Sequence, residues 1–184
     1  MTKLDDKISE SNLKLPPWLV GEIRSDHAGE TGAIWIYRGV LATTRDAEVR
    51  DFAERHIQTE MKHLELLEGW LAESERSSLL PMWKVAGFIT GALPALFGAT
   101  STYATVEAVE AFVVRHYGAQ ITILAELKEH AQLCDILVQC CEDEVAHGFE
   151  AHSLKRNNLN MLLRAWCHMI DIGSGLAVNV ARRI

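Results

Sequence analysis

Glu60 and His63 in "TEMKHLE" (59–65), and Glu144 and His147 in "DEVAHGF" (143–149), are glutamate–histidine pairs three residues apart. On a helix, residues at that spacing share a face. Each pair can therefore turn one carboxylate oxygen and one imidazole nitrogen to a single point, as a metal ion requires. With 8 histidines and 17 glutamates in 184 residues, two such matches are close to what chance supplies. The spacing alone decides nothing.

Context decides more. Glu30 is the only charge between His27 and Arg38, and Glu110 has only Glu107 for charged company in "VEAVEAFVV". A glutamate on an apolar helix face is costly unless it is paired or metal-bound. Glu30 lies thirty residues before Glu60, and Glu110 thirty-four before Glu144. If each pair of helices folds back midway, near residues 45 and 127, both upstream glutamates come level with their ExxH. The chain then reads as two copies of helix-Glu, turn, helix-ExxH. Facing each other, the copies supply four carboxylates and two imidazoles, the ligand set of dinuclear sites in ferritin-like bundles. Oxygen-rich ligation with imidazole suits iron or manganese.

Gly29 and Gly32 flank Glu30, each costing a helix about 1 kcal/mol relative to alanine. They either leave room beside the metal for dioxygen or a substrate ring, or serve tight helix packing. Asp26, one turn before Glu30, is placed to orient a ligating histidine through its free N–H, or to make a surface ion pair.

The elements that must position these groups are helical. Residues 1–16 read as a flexible tail, and 17–184 as a single domain. Helices are expected over about 18–42, 46–75, 101–127, 131–156 and 159–182, with Thr or Asp in "TTRDAE" capping the second. Val49, Phe52, Ile57, Met61, Leu64, Leu67 and Trp70 mark one stripe along that helix. A turn is expected near Lys128–His130 and a loop at "KRNNLN". The fold class is all-α: a four-helix bundle of two hairpins with additional apolar helical segments.

At 48% hydrophobic and 23% charged, the chain has a globular composition and a length suited to one core. Its net charge of −7 argues against nucleic-acid binding. Cys134, Cys140, Cys141 and Cys167 form no CxxC pair and read as reduced, buried thiols. The N-terminal stretch resembles neither a signal nor a transit peptide. Val85–Val106 carries no charge. Its glycines, Pro94 and hydroxyl residues make it a poor bilayer span, leaving buried core or an element in the membrane interface.

"DHAGETGAIWIYRG" (26–39), "EMKHLE" (60–65), "PMWKVAGFITGALPALFG" (81–98), "VEAFVVRHYGAQI" (109–121) and "DEVAHGFEAH" (143–152) resemble the demethoxyubiquinone hydroxylase family of ubiquinone biosynthesis. The resemblance runs from Leu19 to the end. It implies a ferritin-like fold, two iron ions, and peripheral attachment to the cytoplasmic face of the inner membrane. The activity implied is hydroxylation of the demethoxy ring position of a prenylated benzoquinol with O2. Carried over by position, the family's metal ligands fall on Glu30, Glu60, His63, Glu110, Glu144 and His147. Its aromatic pair for electron relay or quinone gating falls on His116 and Tyr117. Glu107 adds a carboxylate where the family tends to be apolar, and the sequence leaves open which of Glu107 and Glu110 bridges the metals. Residues 81–98 would reach into the bilayer and admit the isoprenoid tail, with Arg164, Arg182 and Arg183 near anionic lipid.

No GxGxxG loop is present, so an external electron donor is expected, NADH being a candidate. Further expected partners are membrane lipid, other ubiquinone-biosynthesis proteins and a second copy of the chain. The rival functions are a tRNA hydroxylase, a ferroxidase, and a non-catalytic subunit that presents quinones.

Overall fold

The computed structural model describes residues 15–156 and 159–184. Six α-helices account for most of them: α1 (Pro17–Thr43), α2 (Ala47–Glu68), α3 (Leu80–Ala95), α4 (Ala99–Leu127), α5 (Ala131–Leu154) and α6 (Met161–Ala181). No strand occurs among the described residues. The first fourteen residues of the expected tail, and residues 157 and 158 of the "KRNNLN" loop, lie outside them.

α1 with α2, and α4 with α5, form two antiparallel hairpins, and α2 meets α5 across the bundle. The first hairpin turns where Asp46 caps α2, its side chain accepting from the amides of Glu48 at 2.9 Å and Val49 at 3.3 Å. The second turns at Lys128 and His130, both left-handed, with φ of 56° and 55°. Two buried apolar clusters fill the bundle. One centres on Tyr37, Phe52 and Tyr103; the other joins Leu19, Leu67, Tyr117, Leu124, Leu133 and Leu137. The fold is thus a ferritin-like four-helix bundle carrying two extra helices, α3 and α6.

Two boundaries differ from expectation. α2 stops at Glu68 instead of running to 75, because Gly69 caps it and the chain bends to bury Leu71 in the core. A single 3-10 turn, Glu73–Glu75, follows. The uncharged stretch is not one segment: Gly98, at φ 97°, breaks it between α3 and α4. Nor is α3 plain core. Its small residues Gly87 and Gly91 are buried, while Val85, Ile89, Leu93 and, just beyond it, Leu96 and Phe97 are exposed. Among the described residues, no helix is long and apolar enough to cross a membrane. The cysteines are all unbridged, but only Cys140 is fully buried.

α3 lies against α1 through backbone contact that only glycine permits. A Cβ on Gly91 would stand 1.9 Å from the Ile36 carbonyl oxygen, and one on Gly87 2.3 Å from that of Gly32. Neither carbonyl can yield without moving α1. Gly91→Ala is therefore expected to cost about 3 kcal/mol, the upper end of ordinary overpacking, read as a lowered denaturation midpoint at unchanged slope.

Candidate metal centre

Four helices each bring ligand-type side chains to one buried region. α1 contributes Glu30, α2 Glu60 and His63, α4 Glu110, and α5 Glu144 and His147. None of the six is more than 7% exposed. They fall into two groups, Glu30–Glu60–His63–Glu144 and Glu60–Glu110–Glu144–His147, each with ligand atoms within 4.8 Å of one another. Glu60 and Glu144 belong to both. The Glu107 question is thereby answered: its carboxylate points away, to Lys155 and to His152 at 2.6 Å, and joins neither group. The two shared carboxylates come from the ExxH helices, and Glu110 stands at one end.

The donor atoms converge instead of pairing. His63 Nδ1 is 3.0 Å from Glu144 Oε1 and 3.7 Å from an oxygen of Glu30 and of Glu60. His147 Nδ1 is 3.2 Å from both Glu60 and Glu144. Yet both oxygens of Glu60, Glu144 Oε1 and His63 Nδ1 are buried without a hydrogen bond. Buried polar atoms rarely go unsatisfied, and these four aim at common points between them. Two cations there would satisfy all four, and four carboxylates balance two divalent charges. The residues fit a dinuclear metal site.

Protonation follows from this crowding. Burial, then the neighbouring carboxylates, pushes Glu30 and Glu110 well above the usual carboxylate range. Burial also opposes ionisation of Glu60, but the adjacent imidazoles of His147 and His63 outweigh that and hold it at about 2. His147 is raised to about 9, and His63 further, because the surrounding glutamates overcome their burial.

The layer behind the ligands repeats between halves. Tyr37, seven residues after Glu30, donates across the bundle to Glu110 Oε1 at 3.0 Å. Tyr117, seven after Glu110, donates to Glu30. Burial pushes both phenols well up, so each keeps its proton. Sequence reasoning missed Tyr37, although that repeated interval could have revealed it. Asp143 was also missed: it holds His63 Nε2 at 3.1 Å, the role expected of Asp26. Asp26 instead meets His116 Nε2 at 2.8 Å and Gln120 at 2.7 Å. His116 and Tyr117 stand beside the carboxylates without entering either ligand group.

From Glu30, Glu60, Glu110 and Glu144 a largely apolar cavity of about 570 Å³ extends between α1, α3, α4 and α6. Trp83, Ile89 and Leu93 line one side, Met169 and Ile170 another. Gly29 and Gly32 border it, and a Cβ on either would meet open space. Gly32 serves both readings of that glycine pair, since Gly87 also packs on its backbone.

The family model described as "Ubiquinone biosynthesis protein COQ7" matches residues 18–181. The chain belongs to this family. It is 36% identical over 168 residues to "NADPH-dependent 3-demethoxyubiquinone 3-hydroxylase, mitochondrial" of Rattus norvegicus, covering 88% of this chain and 76% of the relative. The same-named protein of Caenorhabditis elegans is 31% identical over 169 residues, 88% of each chain. A "3-demethoxyubiquinol 3-hydroxylase" of Laribacter hongkongensis (strain HLHK9) is 30% identical over 137 residues, 73% of this chain and 66% of the relative. COQ7 membership and the buried ligand cluster together make the chain an enzyme of the oxidoreductase class, with a ferritin-like site of the di-iron type.

Proposed function

We propose that this single domain, residues 17–184, hydroxylates the ring of a demethoxyubiquinol with O2. The observation that carries the reading is the junction of two features. A pair of ligand groups sharing Glu60 and Glu144 lies at the inner end of an apolar cavity large enough for a substituted ring. One oxygen atom enters the ring, the other leaves as water, and two electrons come from an external donor. The rat and nematode relatives are named for NADPH, so a nicotinamide nucleotide is the class of donor to try first.

Glu30, Glu60, His63, Glu110, Glu144 and His147 would hold two iron ions, which supply the oxygen-activating redox chemistry when bound. The chain's own contribution is placement. Tyr37 and Tyr117 restrain the two end carboxylates by their hydroxyl protons. His116, anchored by Asp26, is a polar group on the cavity wall placed to meet a ring oxygen. Ile36, Val109 and Trp83 exclude water around the ring.

A polyprenyl tail needs an exit into lipid. The exposed side chains Ile89 and Leu93 of α3, Leu96 and Phe97 just beyond it, and Met169, Ile172 and Leu176 of α6 supply an apolar rim beside the cavity. The chain would lie on the membrane surface with these helices down. Arg182 is tied to Glu22 at 2.8 Å.

The test uses iron-loaded protein on liposomes that carry the demethoxyubiquinol, with a reductant and isotopically heavy dioxygen. Product gaining one labelled oxygen atom is expected by mass spectrometry. Iron-loaded, liposome-bound protein that leaves the quinol unchanged would overturn the proposal.

A further inference from the structure

The two imidazoles of the cluster are held in different ways. His63 is fixed through Nε2 by the carboxylate of Asp143, one residue before Glu144. The matching position before Glu60 is Thr59, and among the described residues it makes no hydrogen bond to His147. His147 lies instead against the ring of His56, with centroids 4.0 Å apart and planes at 42°.

His56 is itself held on several sides. Its Nε2 is 2.9 Å from Glu150 Oε2, and Arg55 holds the other Glu150 oxygen at 2.7 Å. Its Nδ1 faces the Tyr37 hydroxyl at 3.4 Å, and Phe52 stacks on the ring at 4.0 Å. Tyr37 in turn donates to Glu110. His56 therefore touches what supports both end ligands of one metal group, Glu110 and His147. The duplicated half has no counterpart. Four residues before Glu144, where His56 precedes Glu60, stands Cys140, a buried thiol with neither a ring to stack nor a second nitrogen.

We infer that His56, clamped by Glu150, is a positioning residue for half of the centre: it sets the His147 ring and the Tyr37 hydroxyl. The ion held by Glu110 and His147 then depends on His56, while the ion held by Glu30 and His63 depends on Asp143. The inference rests on the two-metal reading above. It reaches beyond that reading by making the two sites unequal in what supports them.

The test is equilibrium dialysis of the metal-free full chain against cobalt(II), with visible absorption reporting the coordination of each ion. The unaltered chain is expected to take up two ions; if it takes up none, the two-metal reading fails and this inference with it. In His56→Ala, one ion keeps its affinity and the other weakens by about 10–100-fold, the usual cost of losing a partner behind a ligand. Asp143→Asn weakens one ion by a similar factor. The double variant separates the sites: both ions weak supports the inference, and one ion still tight overturns it.

Glu150→Gln and His56→Phe carry the test if His56→Ala does not fold. Glu150→Gln removes the clamp's charge from a half-exposed position. His56→Phe keeps a ring but loses both polar contacts, and is expected to weaken the same ion by a smaller factor. Unchanged uptake of two ions in both variants overturns the inference. So does equal weakening of both ions in any His56 variant with unchanged helical circular dichroism.

Discussion

Glu144→Ala strips both ions from the protein, while Glu107→Ala removes neither. Glu144 belongs to an ExxH pair and Glu107 does not, and the geometry separates them further. Glu144 belongs to both ligand groups, so its loss opens each of them at once. Losing a partner behind a ligand costs roughly 10–100-fold in metal affinity or activity, and losing a shared ligand should exceed about a hundredfold in both. Glu107 lies in an outer ion pair with Lys155 and His152. Its removal should change stability by no more than about 0.5 kcal/mol and leave metal content at two per chain. Metal analysis beside product mass spectrometry, with helix content as the control, reads both variants. Two ions retained in Glu144→Ala would show that the carboxylate is not shared.

The six clustered side chains were legible because each breaks a local rule. Glu30 is a lone carboxylate on an apolar face, Glu110 has only Glu107 beside it, and the ExxH pairs sit level with them across a hairpin turn. The sharing of Glu60 and Glu144 was not legible. It depends on how far α2 and α5 are displaced along each other, which no interval within one helix records. Glu107 and Glu110 share a face, and the choice between them was made by Lys155 and His152, which draw Glu107 outward. Asp143 stayed hidden because an Asp-Glu pair on a helix ordinarily reads as surface.

The architecture divides similarly. Hairpin turns at Asp46 and at Lys128–His130 follow from capping chemistry and short polar segments. The early stop of α2 is only weakly marked by Gly69, because "WLAESE" beyond it has acceptable helix propensity and yields only when Leu71 finds the core. The outward face of α3 was ambiguous for a different reason. Val85, Ile89 and Leu93 have the same types whether they face protein or lipid, and their exposure emerges only once Gly87 and Gly91 are seen against α1.

Metal-free protein should lose stability as pH rises through neutrality, and two divalent ions should restore it. Glu30 and Glu110 have folded-state values well above the ordinary 4.5, and His63 and His147 above the ordinary 6.5. Each group binds its proton more tightly folded than unfolded. Its stabilising contribution is complete below the unfolded value and is lost as pH climbs through the folded one. For His147 that loss runs from the ordinary 6.5 to about 9, where it is nearly complete. Glu60 has the opposite sign, but with a folded value of about 2 its contribution disappears only in strong acid, outside this window. His27 and His56, whose values burial pushes down, oppose this below the ordinary 6.5, so stability of the metal-free chain declines chiefly from about pH 6.5 towards pH 9.

Metal reverses the slope, because the ligands must be deprotonated to bind and protons leave as ions enter. At a hundred times the dissociation constant each site adds about 2.7 kcal/mol, so two add about 5 kcal/mol. The gap between metal-free and loaded thermal midpoints should accordingly be small near pH 5 and widest near pH 9. A metal-free midpoint that rises from about pH 6.5 to pH 9 would mean that the buried carboxylates are already ionised and satisfied without metal, and the charge balance assigned to the centre would fail.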